Sequence, residues 1–146
     1  MAPYLKKITP VKKDLRFSLL RTIAVVVVLA GAIGSLGLTL YAGRNNKSVL
    51  LIALFFIWVL SPFIGLLVAN VFVKRWSDLF RVNLYSLMVI LALGSLVAYS
   101  GVLSPPGAKP AGVFLIVPLI SWLLIVIVIL LAAVMSRRLS GRNDNV

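Results

Sequence analysis

This chain of 146 residues has no cysteine and no histidine, and it has only three acidic residues. All three are aspartates: Asp14, Asp78 and Asp144. Without cysteine, neither disulfides nor thiolate sites can form, and without histidine and glutamate the usual ligands of transition metals are missing. Acid–base catalysis, metal-dependent hydrolysis and thiol redox chemistry therefore lack their residues. We expect a chain that is not an enzyme and that needs no cofactor.

Charge is also missing from four long segments, which are 22 to 27 residues long and contain no Lys, Arg, Asp or Glu. They are residues 22–43, 48–73, 82–108 and 110–136. Each is longer than the roughly 20 apolar residues that an α-helix needs to cross a hydrocarbon core of about 30 Å. Because backbone groups in lipid must bond within their own segment, the sequence predicts an all-α membrane protein. The remaining pieces are too short for a soluble domain with its own core.

The links between these segments predict an antiparallel up-down bundle of four transmembrane helices, forming a single integral-membrane domain over residues 1–146. The first two links are short, and the third contains Ser104-Pro105-Pro106-Gly107, which cannot continue a helix. The spans are expected at about residues 20–42, 48–73, 82–103 and 112–135. A basic tail, 1–19, precedes them and a second tail, 137–146, follows. The first span is expected to be retained, because the apolar region of a cleaved signal peptide is shorter.

The distribution of basic residues predicts that both termini face the cytoplasm. Twelve of the 15 lie in residues 1–21, in the second link or in the C-terminal tail, which share one side of the membrane if there are four spans. The opposite side has only Arg44, Lys47 and Lys109. Since positive residues are concentrated on the cytoplasmic side, we expect a multi-pass protein of the cell membrane. The net charge of +12 then faces lipid phosphates rather than nucleic acid.

Small residues in the first and third spans are candidates for close helix packing. They are Gly31, Gly34, Ser35 and Thr39 in the first span, and Gly94 and Ala98 in the third. Small side chains four residues apart let two helix backbones approach closely, which is how helices associate in lipid. Two interpretations stay open. One is packing of the first span against the third, and the other is a face that contacts a second copy or a larger partner.

The same spans indicate an internal repeat. Gly-Ser-Leu occurs at 34–36 and again 60 residues later at 94–96, each time thirteen residues after an arginine. Pro62-Phe63-Ile64-Gly65 and Pro118-Leu119-Ile120-Ser121 are similar at an offset of 56. A duplicated two-helix hairpin would give this pattern, and so would coincidence in an apolar sequence of low complexity.

Two prolines, Pro62 and Pro118, predict kinks in the second and fourth spans. Proline has no N–H to donate to the carbonyl four residues earlier, so that carbonyl is freed. A freed carbonyl can bind an ion or line a cavity, or a nearby serine such as Ser61 or Ser121 can satisfy it. Trp58 lies near the expected bilayer centre, where its indole N–H needs a hydrogen-bond partner.

Basic residues of the N-terminal tail are candidates for binding anionic lipid headgroups. They are Lys6, Lys7, Lys12, Lys13 and Arg16, interleaved with apolar residues. Near an anionic leaflet, each basic residue contributes about 1 kcal/mol to binding. The other interpretation is that these charges only fix the topology.

No Asp, Glu, His, Lys or Arg lies inside the four uncharged segments, which argues against a carrier that moves protons through a membrane carboxylate. The leading hypothesis is a non-enzymatic membrane protein that acts through helix–helix contacts. It would be an accessory or scaffold subunit of a membrane assembly, or a small homo-oligomer. The alternative is an oligomeric pore or carrier for neutral or hydrophobic solutes or lipids. Expected partners are anionic headgroups on the cytoplasmic side and other membrane proteins or further copies of the chain.

Overall fold

The computed structural model describes the backbone of residues 2–143 and the side chains of residues 10–142 other than Pro110. It contains four long helices: α1 (Ala2–Gly43), α2 (Val49–Phe72), α3 (Asp78–Tyr99) and α4 (Pro110–Asn143). A 3₁₀ turn, Val73–Arg75, follows α2, and residues 2–143 contain no strand. The predicted all-helical fold is confirmed, with four helices long and apolar enough to cross a membrane.

Two helices continue well beyond the predicted spans. α1 begins at Ala2, so the basic tail continues the helix of the first span, with Pro10 inside it. α4 continues through the basic residues that follow the fourth span and reaches Asn143. Lysine, arginine and leucine are good helix formers, so a charged extension can keep the helical backbone of the span beside it.

The limits of α3 lie earlier in the chain than the predicted third span. Ser77 has an extended backbone and precedes the helix, which begins at Asp78. The helix ends at Tyr99, and Gly101 follows with a φ of 79°. This left-handed conformation is favourable for glycine and is a common way to terminate a helix.

The four helices pack side by side, and α2 and α3 also contact each other. α1 contacts α2 and α3, and α4 contacts the same two helices, with the α1–α3 interface the most extensive. The apolar core lies where the four helices meet, and every helix contributes to it. Its members include Ala24 and Val28 from α1, Phe63 and Leu66 from α2, Met88 from α3 and Ile125 from α4.

The buried positions of α1 recur in α3 at the 60-residue offset of the proposed repeat. Six of the α1 residues whose side chains are described are buried: Ala24, Val28, Gly31, Ala32, Ser35 and Thr39. The residues 60 positions later are buried as well: Leu84, Met88, Leu91, Ala92, Ser95 and Tyr99. For α2 and α4, burial repeats at an offset of 55, with Val59, Phe63, Leu66 and Asn70 matching Phe114, Pro118, Ser121 and Ile125. That offset is one residue shorter than the 56 that aligns the prolines. The duplication itself stays a prediction.

Candidate functional site

The first and third spans form a close seam through two of the predicted small residues. A Cβ atom placed on Gly31 would lie 2.9 Å from the Cβ of Ala92, and one on Gly34 would lie 2.6 Å from Cδ2 of Leu96. At Gly31 any side chain would overlap Ala92, including its backbone, whereas at Gly34 the obstacle is the end of the flexible Leu96 side chain. Ser35 and Thr39 are also buried, and the Thr39 hydroxyl donates to the Ser35 carbonyl at 2.7 Å.

The two candidates on α3 are placed differently. Gly94 is exposed, and a Cβ atom there would meet no atom within 4 Å. Ala98 is partly buried, whereas Ser95, which follows Gly94, is buried. The structure therefore brings the α1 candidates into the bundle and leaves Gly94 on its exterior.

The seam between α2 and α4 contains a chain of hydrogen bonds around Pro62. The Ser61 hydroxyl donates to the Trp58 carbonyl at 2.9 Å, which is the carbonyl that Pro62 leaves without its usual donor. The Trp122 indole N–H donates to the Ser61 Oγ at 2.9 Å. The Trp58 indole N–H donates to the Leu115 carbonyl at 3.3 Å. Ser61 thus donates to the freed carbonyl of its own helix and accepts a hydrogen bond from a tryptophan of α4.

Gly65 and Ser121 lie close to Trp122 in the seam between α2 and α4. A Cβ atom on Gly65 would lie 3.2 Å from Cη2 of Trp122, so the glycine leaves room for the indole ring. Pro118 is buried, and the nearby Ser121 hydroxyl donates to the Val117 carbonyl at 2.8 Å. Ser121 therefore does not satisfy the Phe114 carbonyl that Pro118 frees, unlike Ser61 beside Pro62.

The basic residues of the N-terminal tail lie along the start of α1. Lys13 forms an ion pair with Asp78 at the start of α3, with 2.6 Å between Nζ and Oδ2. Lys12 and Arg16 are exposed. The side chains of the other two candidates, Lys6 and Lys7, lie outside the described residues. The ion pair joins the extension of α1 to α3.

Sequence reasoning missed Asn70, which is 4% exposed on the core-facing side of α2. Within the described part of the chain, its Oδ1 atom has no hydrogen-bond partner, and the same is true of the buried Ser35 Oγ. A buried amide without a partner costs about 1–3 kcal/mol. The signal that could have found it is the presence of an asparagine within an otherwise apolar half of the second span.

Comparisons with other proteins were made at the levels of family, sequence and structure. No family model, curated protein or solved structure matches the chain. Among the described residues, no group of three or more His, Cys, Asp or Glu side chains lies together as a metal site would require.

We expect Ser61→Ala to lower the free energy of unfolding by about 1–2 kcal/mol, because it leaves the Trp122 N–H and the Trp58 carbonyl without their partner. Unfolding in detergent with increasing SDS, followed by tryptophan fluorescence, measures the change. Adding Pro62→Ala should recover part of the loss, since alanine supplies an N–H to the same carbonyl.

Ser136→Ala is the matched control for this prediction. The Ser136 hydroxyl donates only to the Ala133 carbonyl of its own helix, at 2.9 Å. Its removal should change stability by less than about 0.5 kcal/mol. Equal effects at Ser61 and Ser136 would contradict a role for Ser61 between the two helices.

Proposed function

We propose that the chain is a non-enzymatic multi-pass protein of the cell membrane that acts through helix–helix contacts. It would serve as an accessory or scaffold subunit of a membrane assembly, or as a small homo-oligomer. The main support is the placement of apolar side chains. Ile33, Leu50 and Ile57 are 72, 83 and 69% exposed, and similar side chains cover α3 and α4. Such an exterior requires lipid or other helices around it.

The interior of the bundle supports the same proposal. Apolar residues from all four helices already fill the core, so a partner protein would have to contact the outside of the bundle. Among the described residues, no Asp, Lys or Arg side chain is buried in this core. A partner protein would therefore recognise the shape and the apolar surface of the exterior.

We further propose an antiparallel bundle with both termini in the cytoplasm. The residue numbers of contacting pairs increase along both α1 and α3. Lys13 contacts Asp78, and further along both helices Gly31 lies beside Ala92. This order is expected when the first and third helices run in the same direction. The short first link supports the opposite direction for α2, and the basic residues support the cytoplasmic side.

Because the chain has no cysteine, single introduced cysteines can test this topology without further changes. Asn45→Cys in the first link should react with a membrane-impermeant maleimide in intact cells. Ser77→Cys in the second link and Ser140→Cys near the C-terminal end should react only after the membrane is permeabilised. Labelling of all three sites in intact cells, or the reverse pattern, would reject the proposed orientation.

The contact function itself is tested by the mass of the protein after gentle extraction. Native mass spectrometry of the purified protein should give an assembly heavier than one chain, containing either a second protein or further copies. Cross-linking in the membrane before extraction guards against dissociation in detergent. A lone chain in both experiments would reject the proposal.

A pore or carrier for neutral or hydrophobic solutes or lipids is the second candidate. The observation that favours it is a groove of about 520 Å³ between α2 and α4, lined by residues that include Trp58, Ser61 and Trp122. Vesicles containing the protein should then release a neutral solute such as glycerol, and Pro62→Ala should change the rate. Release no faster than from protein-free vesicles would reject this function.

A further inference from the structure

A continuous groove runs along the outside of the α1–α3 pair, from the basic start of α1 into the apolar spans. Its outer part is lined by residues that include Lys13, Arg16 and Phe17, and encloses about 600 Å³. Its inner part encloses about 310 Å³ and reaches Ser86 and Ile90 of α3. Both parts are lined by Leu20, Ile23 and Val82, which makes them one groove.

The chemistry of the groove changes along its length. One end has two positive side chains, and the other end is mostly aliphatic, with Tyr85 and Ser86 as its only hydroxyl-bearing lining residues. Within the described residues, Lys13 is paired with Asp78, whereas Arg16 has no ion-pair or hydrogen-bond partner. A guanidinium can hold a phosphate through two parallel N–H donors, so Arg16 is the stronger candidate for binding an anion.

The dimensions match one leaflet of a bilayer. From Lys13 to Leu20, α1 rises about 10 Å at 1.5 Å per residue. Val82 lines the groove together with Leu20, and from Val82 to Ile90 α3 adds about 12 Å. A leaflet with its headgroups is about 20–22 Å thick. Arg16 lies about 6 Å outside Leu20, where the expected first span begins, and this distance places it among the headgroups.

We propose that this groove binds one anionic phospholipid, with its phosphate at Arg16 and Lys13 and an acyl chain along Ile23, Val82 and Ser86. The inference rests on the proposed insertion of the chain in a membrane. It goes further than a general attraction of the basic tail to an anionic surface, because it specifies one lipid at one place. A soluble anion would satisfy only the basic end, and a neutral lipid only the apolar end.

The test compares phosphatidylglycerol with phosphatidylcholine, each titrated into the full chain in a neutral detergent and measured by native mass spectrometry. The wild-type chain should retain one phosphatidylglycerol in preference to phosphatidylcholine. Arg16→Gln should weaken that binding about fivefold, the factor that corresponds to roughly 1 kcal/mol per basic residue. Ser86→Trp should weaken it as well, because an indole would fill the apolar part without changing the charge.

Arg138→Gln is the matched control, since Arg138 is an exposed base near the end of α4 and outside the groove. It should bind phosphatidylglycerol as the wild type does, and excess glycerol 3-phosphate should not displace the lipid. Three results would overturn the proposal: equal weakening by Arg138→Gln, unchanged binding by Ser86→Trp, or displacement by glycerol 3-phosphate. Arg16 and Ser86 are exposed, so neither substitution disturbs the core.

The same spectra separate this inference from the proposed contact function. They report the mass of the protein assembly and the number of bound lipids independently. Loss of the lipid with an intact assembly would count against the groove alone. A lone chain that still retains one phosphatidylglycerol would count against the contact function alone.

Discussion

Replacing Gly31 with leucine is expected to lower the free energy of unfolding by about 2–3 kcal/mol. A Cβ atom on Gly31 would lie 2.9 Å from the Ala92 Cβ and 3.3 Å from its Cα. The obstacle is therefore the backbone region of α3, which cannot move aside as the end of a long side chain can. To admit a leucine, α1 and α3 must separate at the most extensive interface of the bundle. Helix association in lipid depends on such close packing.

Gly37→Leu is the matched control on the same helix. A Cβ atom on Gly37 meets no atom within 4 Å, and the residue is exposed. Both substitutions replace glycine with leucine inside α1, so their effects on helix propensity cancel in the comparison. Titration with SDS, followed by tryptophan fluorescence, measures both variants. Equal losses of stability would contradict the placement of Gly31 against α3.

The positions of the four helices are predictable from the sequence because lipid tolerates few charges and no free backbone groups. The segments without charge therefore locate the four helices, and the spans predicted from them give the limits of α2 and α3 to within four residues. The extension of α1 to Ala2 is not predictable in the same way. A run of lysine, arginine and leucine is compatible with a helix and with an irregular tail, and tertiary contacts such as Lys13 with Asp78 favour the helix.

Which small residues form the helix seam is only partly predictable. Gly34 and Gly94 both begin the tripeptide Gly-Ser-Leu, so their local sequences give no reason to distinguish them. In the structure, Gly34 lies beside Leu96 of α3, whereas Gly94 has open space around it. The difference comes from the neighbours of each helix, and periodicity indicates a packing face without saying which helix covers it.

The hydrogen-bond donor to a carbonyl that proline frees is likewise only partly predictable from the sequence. A proline in a span reliably identifies the carbonyl that it frees, four residues earlier. It does not identify the donor, because a nearby serine can reach carbonyls three or four residues before it. Ser61 reaches the freed carbonyl of Trp58, but Ser121 reaches Val117 instead of Phe114. Side-chain rotamers set by the surrounding packing decide between these outcomes.

Replacing Asn70 with leucine is expected to raise the free energy of unfolding by about 1–2 kcal/mol. Asn70 is buried on the face of α2 that includes Phe63 and Leu66, and its Oδ1 atom has no hydrogen-bond partner among the described residues. Removing an unpaired polar group from an apolar interior recovers its desolvation cost. Leucine branches at Cγ as asparagine does, so its side chain can occupy nearly the same space.

Two further variants make this prediction decisive. Asn83→Leu is the control, because Asn83 is exposed on α3 and its replacement should leave stability within about 0.5 kcal/mol of the wild type. Asn70→Ala removes the amide without adding volume. It therefore distinguishes the loss of a hydrogen bond of the amide from steric overlap caused by the larger leucine side chain. Loss of stability in both Asn70 variants would mean that the amide has a partner in the membrane. A gain in Asn70→Leu would mean that the bundle is held below its attainable stability, a cost that polar residues in spans typically impose where they serve a function.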